Sequence, residues 1–157
     1  MRTIFLELLA GGLVAALLYA IWTDWRARVI PNPLNAAIAL AAPLWWWASG
    51  LSLWPGVAVQ LAVGGVALLI FMGAFAIGAM GGGDVKLIAA LGLWLVPPDF
   101  LQMIVWMSIG GGLLTVVMMI AHRVRRQEGQ LEIPYGIAIA AATIPELTQR
   151  YLYHFGR

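Results

Sequence analysis

Four stretches of this chain each reach about the 20 residues that a bilayer crossing needs: Thr3–Thr23, Leu34–Trp54, Val57–Ile77 and Phe100–Ala121. Glu7 is the one charged residue inside them. Segments this apolar have no polar face to offer water, so lipid is their natural solvent. The whole chain agrees, at 62% hydrophobic and 10% charged residues, where soluble domains carry roughly a quarter charged. A soluble fold of 157 residues could not bury that much apolar surface. Two shorter apolar segments complete the pattern: ten residues between Lys86 and Pro97, and thirteen between Glu132 and Glu146. The expectation is an all-α polytopic membrane protein of about six transmembrane helices, the fourth short and preceded by glycines. Residues 1–157 read as one transmembrane domain without a separate soluble domain. The first stretch lacks a basic start and an A-x-A-like exit, so it reads as a retained span rather than a cleaved signal.

Lys and Arg set the sidedness. Arg26 and Arg28 follow the first span, Lys86 the third, and Arg123, Arg125 and Arg126 the fifth; with six crossings these six of nine basic residues share one side. Arg2, Arg150 and Arg157 fall on the other. The basic side is expected to be cytoplasmic. Tryptophans at Trp22, Trp25, Trp45–Trp47 and Trp54 read as an interfacial belt. Gly11–Gly12, Gly64–Gly65 and Gly110–Gly112 lie inside spans and suggest close helix packing. The absence of Cys excludes disulfides, thiolate metal sites and a Cys nucleophile. His122 and His154 have no ligand-spaced partner, so no metal and no cofactor is expected. A net charge of +2 gives no reason to expect a nucleic-acid partner.

The chemistry must come from the acidic residues. Asp99 reads as a solvated turn carboxylate after Pro97–Pro98, Glu128 and Glu132 share a loop with arginines, and Glu7 and Glu146 lie near outer ends. Asp24 and Asp84 remain. Asp24 alone would suit a membrane-edge ion pair with Arg28, four residues on. Asp84 alone would suit a helix N-terminus, where the dipole favours a carboxylate. Together they say more. Two crossings separate them, so both lie at one membrane face. The fourth segment, Val85–Val96, is twelve residues, or roughly 18 Å of helix against a core of about 30 Å. If Pro97–Pro98 marks the outer surface, Asp84 is submerged, and ionisable groups at depth are functional candidates. Two neighbouring carboxylates cannot both ionise easily and share a proton, which suits acid/base hydrolysis. Gly81–Gly83 would let a substrate or neighbouring helix approach the backbone closely. Buried aspartates and broken helices also occur in proton-coupled transporters and channel components, and that alternative stays open.

The segments DWRARVIPNPLN at 24–35, GGGDVKLIAALG at 81–92 and IPYGIAIA at 133–140 resemble type IV prepilin peptidases, in the right order along the chain. GGGD is also a G-x-G-D motif, as in the wider group of membrane aspartyl proteases. The resemblance implies that Asp24 and Asp84 form a catalytic pair. Gly81, Gly83, Lys86 and Asn32 would be supporting motif positions. Lys86 is placed to orient Asp84 or to hold charge at the cytoplasmic edge, and Asn32 to anchor the second span. Tyr135 would line a groove or pack as an aromatic. The resemblance further implies cleavage of a prepilin leader before the pilin's hydrophobic helix, at the cytoplasmic face of a bacterial inner membrane. The partners are then the prepilin and the lipid bilayer. Larger members carry a cytoplasmic domain with Cys-x-x-Cys pairs and also N-methylate the pilin. Here the first two spans are joined by about ten residues without Cys, which resembles the short Flp or tight-adherence type. Archaeal preflagellin-type peptidases are near relatives.

Overall fold

A computed structural model describes residues 2–124 and 133–155, with the side chains of 2–124 and 133–148. Six α-helices follow one another: α1 (Arg2–Ala27), α2 (Asn32–Ser49), α3 (Ala58–Ala76), α4 (Gly82–Leu91), α5 (Pro97–Val124) and α6 (Tyr135–Phe155). A short turn, Leu53–Val57, leads into α3. Among the described residues there is no strand. The segments Arg2–Ala27, Leu53–Ala76 and Pro97–Val124 are long and apolar enough to cross a membrane. The number of helices agrees with the expectation, and three of them meet the measure of a span. Arg125, Arg126, Glu128, Glu132 and Arg157 lie outside the described residues, as do the side chains of Arg150 and His154.

Three boundaries differ from the sequence reading. Pro97–Pro98 does not form a turn outside α5 but begins it. Proline lacks only an N–H that the first helical turn leaves unpaired anyway, so it starts helices readily. The sixth helix does not stop at Glu146. It continues through Pro145 to Phe155, 21 residues in all. A charge does not break a helix, and Glu146 is buried inside α6. Asp99 correspondingly sits in the first turn of α5, half-buried, where its charge acts on Glu146. Finally, the fourth helix begins earlier and is shorter than expected. It is ten residues long, about 15 Å at 1.5 Å per residue.

α4 is packed among α2, α3 and α6. Its Leu87, Ile88 and Leu91 are fully buried. In lipid, apolar burial alone gives helices little reason to associate, so packing and polar contacts decide. Those contacts gather in the turn that follows α4, at the carbonyls of Leu93 and Leu95. Trp46 donates its indole N–H to Leu93 O at 2.7 Å. Gln60 Nε2 donates to Leu93 O at 3.2 Å and Leu95 O at 3.1 Å. Trp94 Nε1 reaches back to Ile38 O at 2.8 Å. Irregular backbone at membrane depth survives only with such partners. Trp46 therefore does not belong to an interfacial belt, whereas Trp47 and Trp54 stay exposed. The glycine expectation divides in the same way. Gly64 and Gly92 bring α3 and the α4 turn together, and Gly111 lies under the Tyr135 ring, while Gly11, Gly12, Gly65 and Gly112 have open space beside them.

Candidate active site

Antiparallel succession puts the C-terminus of α1 and the N-termini of α2, α4 and α6 at one end of the bundle. Asp24 closes α1 and Asp84 opens α4, so the two residues meet there although 60 positions separate them (84 − 24). They are 4% and 8% exposed. The carboxylates are close enough for the charge of Asp24 to act on Asp84.

Each carboxylate is held from one side. Asp24 accepts from the backbone N–H groups of Gly136 and Ile137, in the first turn of α6. Gly136 lies in the first helical turn, whose N–H groups lack intrahelical partners, the Ile137 N–H also reaches Pro134 O at 3.3 Å, and the helix dipole adds favourable charge. Asp84, third residue of α4, accepts from the N–H of Gly81, which precedes the helix with extended backbone angles of −71° and 143°. That is half of a capping box. The opposite oxygens, Asp24 Oδ2 and Asp84 Oδ1, are buried and have no partner. A buried carboxylate oxygen is costly to leave alone, so the pair is arranged to receive something.

The linker from α1 to α2 packs beside both aspartates. Arg28 leaves α1 with φ 53°, a conformation L-residues avoid. Its guanidinium lies over Trp25 at 5.8 Å and its charge reaches Asp24. The Asp24–Arg28 relation is thus across a helix end rather than along a helix face. Ile30 then enters between α4 and α6. A Cβ on Gly83 would stand 3.1 Å from both Cβ and O of Ile30, and one on Gly136 would stand 2.8 Å from Ile30 Cδ1 and 2.8 Å from Asp24 Oδ2. The close approach expected of the glycines is real at Gly83, but it serves the linker. Gly82 and Gly83 are helical, and the chain break lies upstream at Gly78, with φ 73°.

The remaining sequence candidates sit at the edge. Lys86 Nζ donates to Asn32 Oδ1 at 2.8 Å, tying the start of α2 to α4 on the exposed face. Asn32 thus anchors by a side-chain bond, while Pro31 occupies the cap position of α2 without a side-chain cap. Tyr135 packs on Gly111, and its hydroxyl lies 3.2 Å from Thr115 Oγ1. Sequence reasoning missed Gly136, Ile30 and Asn35. Gly136 was visible only as part of the segment IPYG, with a glycine in the first turn after a proline. Asn35, 4% exposed, donates Nδ2 to Gly83 O at 3.0 Å and carried no signal beyond being polar in an apolar helix.

A profile of the type IV leader peptidase family matches residues 12–116. The chain belongs to that family. The matched region holds both aspartates, the glycine run and Asn35, and ends within α5, so the Gly136 contact lies beyond it. No curated protein and no solved structure matches the chain significantly.

Proposed function

We propose that this chain is a membrane aspartic endopeptidase that removes the leader of type IV, Flp-like prepilins at the cytoplasmic face of the bacterial inner membrane. The supporting observation is the convergence of Asp24 and Asp84, each with one buried, unpartnered oxygen. Membership of a leader peptidase family favours this over a proton-coupled transporter.

In this reading the two carboxyl groups share one proton, which belongs to the pair. The ionised member takes a proton from a water molecule, and the water oxygen attacks the scissile carbonyl carbon. The protonated member gives its proton to the carbonyl oxygen. The resulting gem-diol collapses: its hydroxyl proton returns to one carboxylate, the other carboxyl protonates the leaving nitrogen, and the C–N bond breaks. The pair ends with the single proton it began with. The Gly136 and Ile137 N–H groups hold Asp24, and the Gly81 N–H holds Asp84. Such pre-set geometry is what a general acid or base needs. Gly81 and Gly83 shape the backbone, and the Lys86–Asn32 bond closes the rim.

Co-expression with a candidate Flp-type prepilin tests the reading. Asp24→Asn and Asp84→Asn should each abolish leader cleavage, measured by the mobility of the pilin on gels, while the protein still inserts in the membrane. Robust cleavage by either variant would sink the dyad.

A further inference from the structure

Besides the aspartate oxygens, two polar atoms at the site end are buried without a partner, Arg28 Nη1 and Asn35 Oδ1. Asn35 holds Gly83 O through Nδ2, but its Oδ1 is buried without a partner. Burying an amide oxygen unpaired is unfavourable unless a partner arrives. Asn35 also lines an open groove of about 570 Å³ between α2, α3 and α4. Its walls combine small residues, Ala36, Ala39, Gly65 and Ala89 among them, with Leu61, Leu68 and Leu93. In lipid, small residues are what allow another helix's backbone to come close. A Cβ added at Gly65 would meet nothing within 4 Å, so the space beside it is open.

We propose that this groove seats the first turns of the substrate's apolar helix, and that Asn35 Oδ1 accepts a hydrogen bond from a free main-chain N–H at that helix's start. The inference rests on the peptidase reading. The first four N–H groups of a helix lack intrahelical partners, and at membrane depth they need acceptors. Cleavage just before an apolar helix puts those N–H groups within a few residues of the scissile bond. Asn35 is bonded to the residue preceding Asp84, so its amide lies beside the start of α4, where those N–H groups would arrive. Lys86, Ala89, Leu93 and the largely buried Ala90 line the groove, whereas Asp84, Leu87, Ile88 and Leu91 do not. The leader must therefore cross the N-terminus of α4 near Gly81, because the Phe75 ring lies against Gly82 and Ile30 against Gly83. Extended chain covers about 3.3 Å per residue and a helix backbone has a radius of about 2.3 Å, so roughly two residues make the crossing. A second cavity, of about 680 Å³ between α5 and α6, has its carboxylate at the wrong end. Glu146 is ten residues beyond Gly136 (146 − 136), roughly 15 Å along α6.

The test uses the purified full chain in phosphatidylethanolamine/phosphatidylglycerol vesicles. The probe is a synthetic polypeptide with a basic leader ending in glycine, followed by an apolar helix. Gly65→Leu fills the proposed groove, Gly110→Leu fills the α5–α6 cavity, and Gly112→Leu enters neither. An added Cβ meets nothing within 4 Å at Gly65 or Gly112, and only Ala138 Cβ at 3.9 Å at Gly110, so all three should fold. Gly65→Leu is expected to raise KM about tenfold with kcat little changed, the signature of lost ground-state binding. The other two should stay near wild type. In the Asp84→Asn background, a photo-crosslinking residue at Ala39 should capture the first turns of the probe's helix, and one at Leu113 should not. Wild-type kinetics for Gly65→Leu, or capture from Leu113 alone, would overturn the groove while leaving the peptidase reading intact. Cleavage of the probe by Asp84→Asn would instead remove the peptidase reading, and this inference with it.

Discussion

Gly136 is where the smallest change should have the largest functional effect. Replacing it with alanine adds one methyl group in the first turn of α6, a conservative step for a helix, where alanine is preferred to glycine. The new Cβ would stand 2.8 Å from Asp24 Oδ2 and 2.8 Å from Ile30 Cδ1. Ordinary contact begins near 3.4 Å, so the deficit is about 0.6 Å (3.4 − 2.8) on two sides at once. Ile30 is wedged against Gly83 and has little room to move. The Asp24 carboxylate must therefore swing away, and its bonds to the Gly136 and Ile137 N–H groups must lengthen. Misplacing a catalytic group by about 1 Å can cost on the order of 10²-fold. A shift near half that should lower leader cleavage by about tenfold or more, equivalent to roughly 1.4 kcal/mol in the barrier. The assay is the single-turnover cleavage rate of a prepilin probe by purified variants, with circular dichroism and thermal melting to confirm an intact fold. Gly12→Ala is the matched control, because a Cβ there meets nothing within 4 Å. Cleavage by Gly136→Ala at the wild-type rate would refute the contact between α6 and Asp24 as a determinant of activity.

Two further outcomes follow from the packing around α4. Gln60→Leu keeps an apolar residue of similar bulk but strips Leu95 O of its bond and leaves Leu93 O to Trp46 alone. Bonds of this kind in membranes contribute on the order of 0.6–2 kcal/mol, and an orphaned buried carbonyl costs about 1–3, so destabilisation of about 1–2 kcal/mol is expected in reversible unfolding in bicelles; no change would mean that water or lipid serves these carbonyls. Gly83→Ala should fail to fold or to cleave, and Ile30→Ala should not rescue it, because main-chain O and N of residue 30 stand in the way along with the side chain. Full activity of the double variant would show that the side chain alone sets the spacing.

The six-helix, all-α character was written in the chain, because apolar runs of span length leave the backbone no other way to satisfy its hydrogen bonds in lipid. The parity of those runs was enough to bring Asp24 and Asp84 to the same end. Helix ends are poorly legible in the sequence, because neither a charge nor a proline need stop a helix: Pro97–Pro98 begins α5, and α6 runs through Pro145 and Glu146. The turn after α4 is held by side chains from elsewhere, Trp46 and Gln60, which bond the carbonyls of Leu93 and Leu95. The site divides along the same line. One sequence can place two carboxylates at one depth, because depth follows from counting residues along helices. What each carboxylate touches depends on which helix packs beside it, and that is a property of the assembled bundle. Only the tertiary structure therefore brings Gly136 and Ile137 to Asp24, Ile30 between the two helices, and Asn35 to the carbonyl of Gly83.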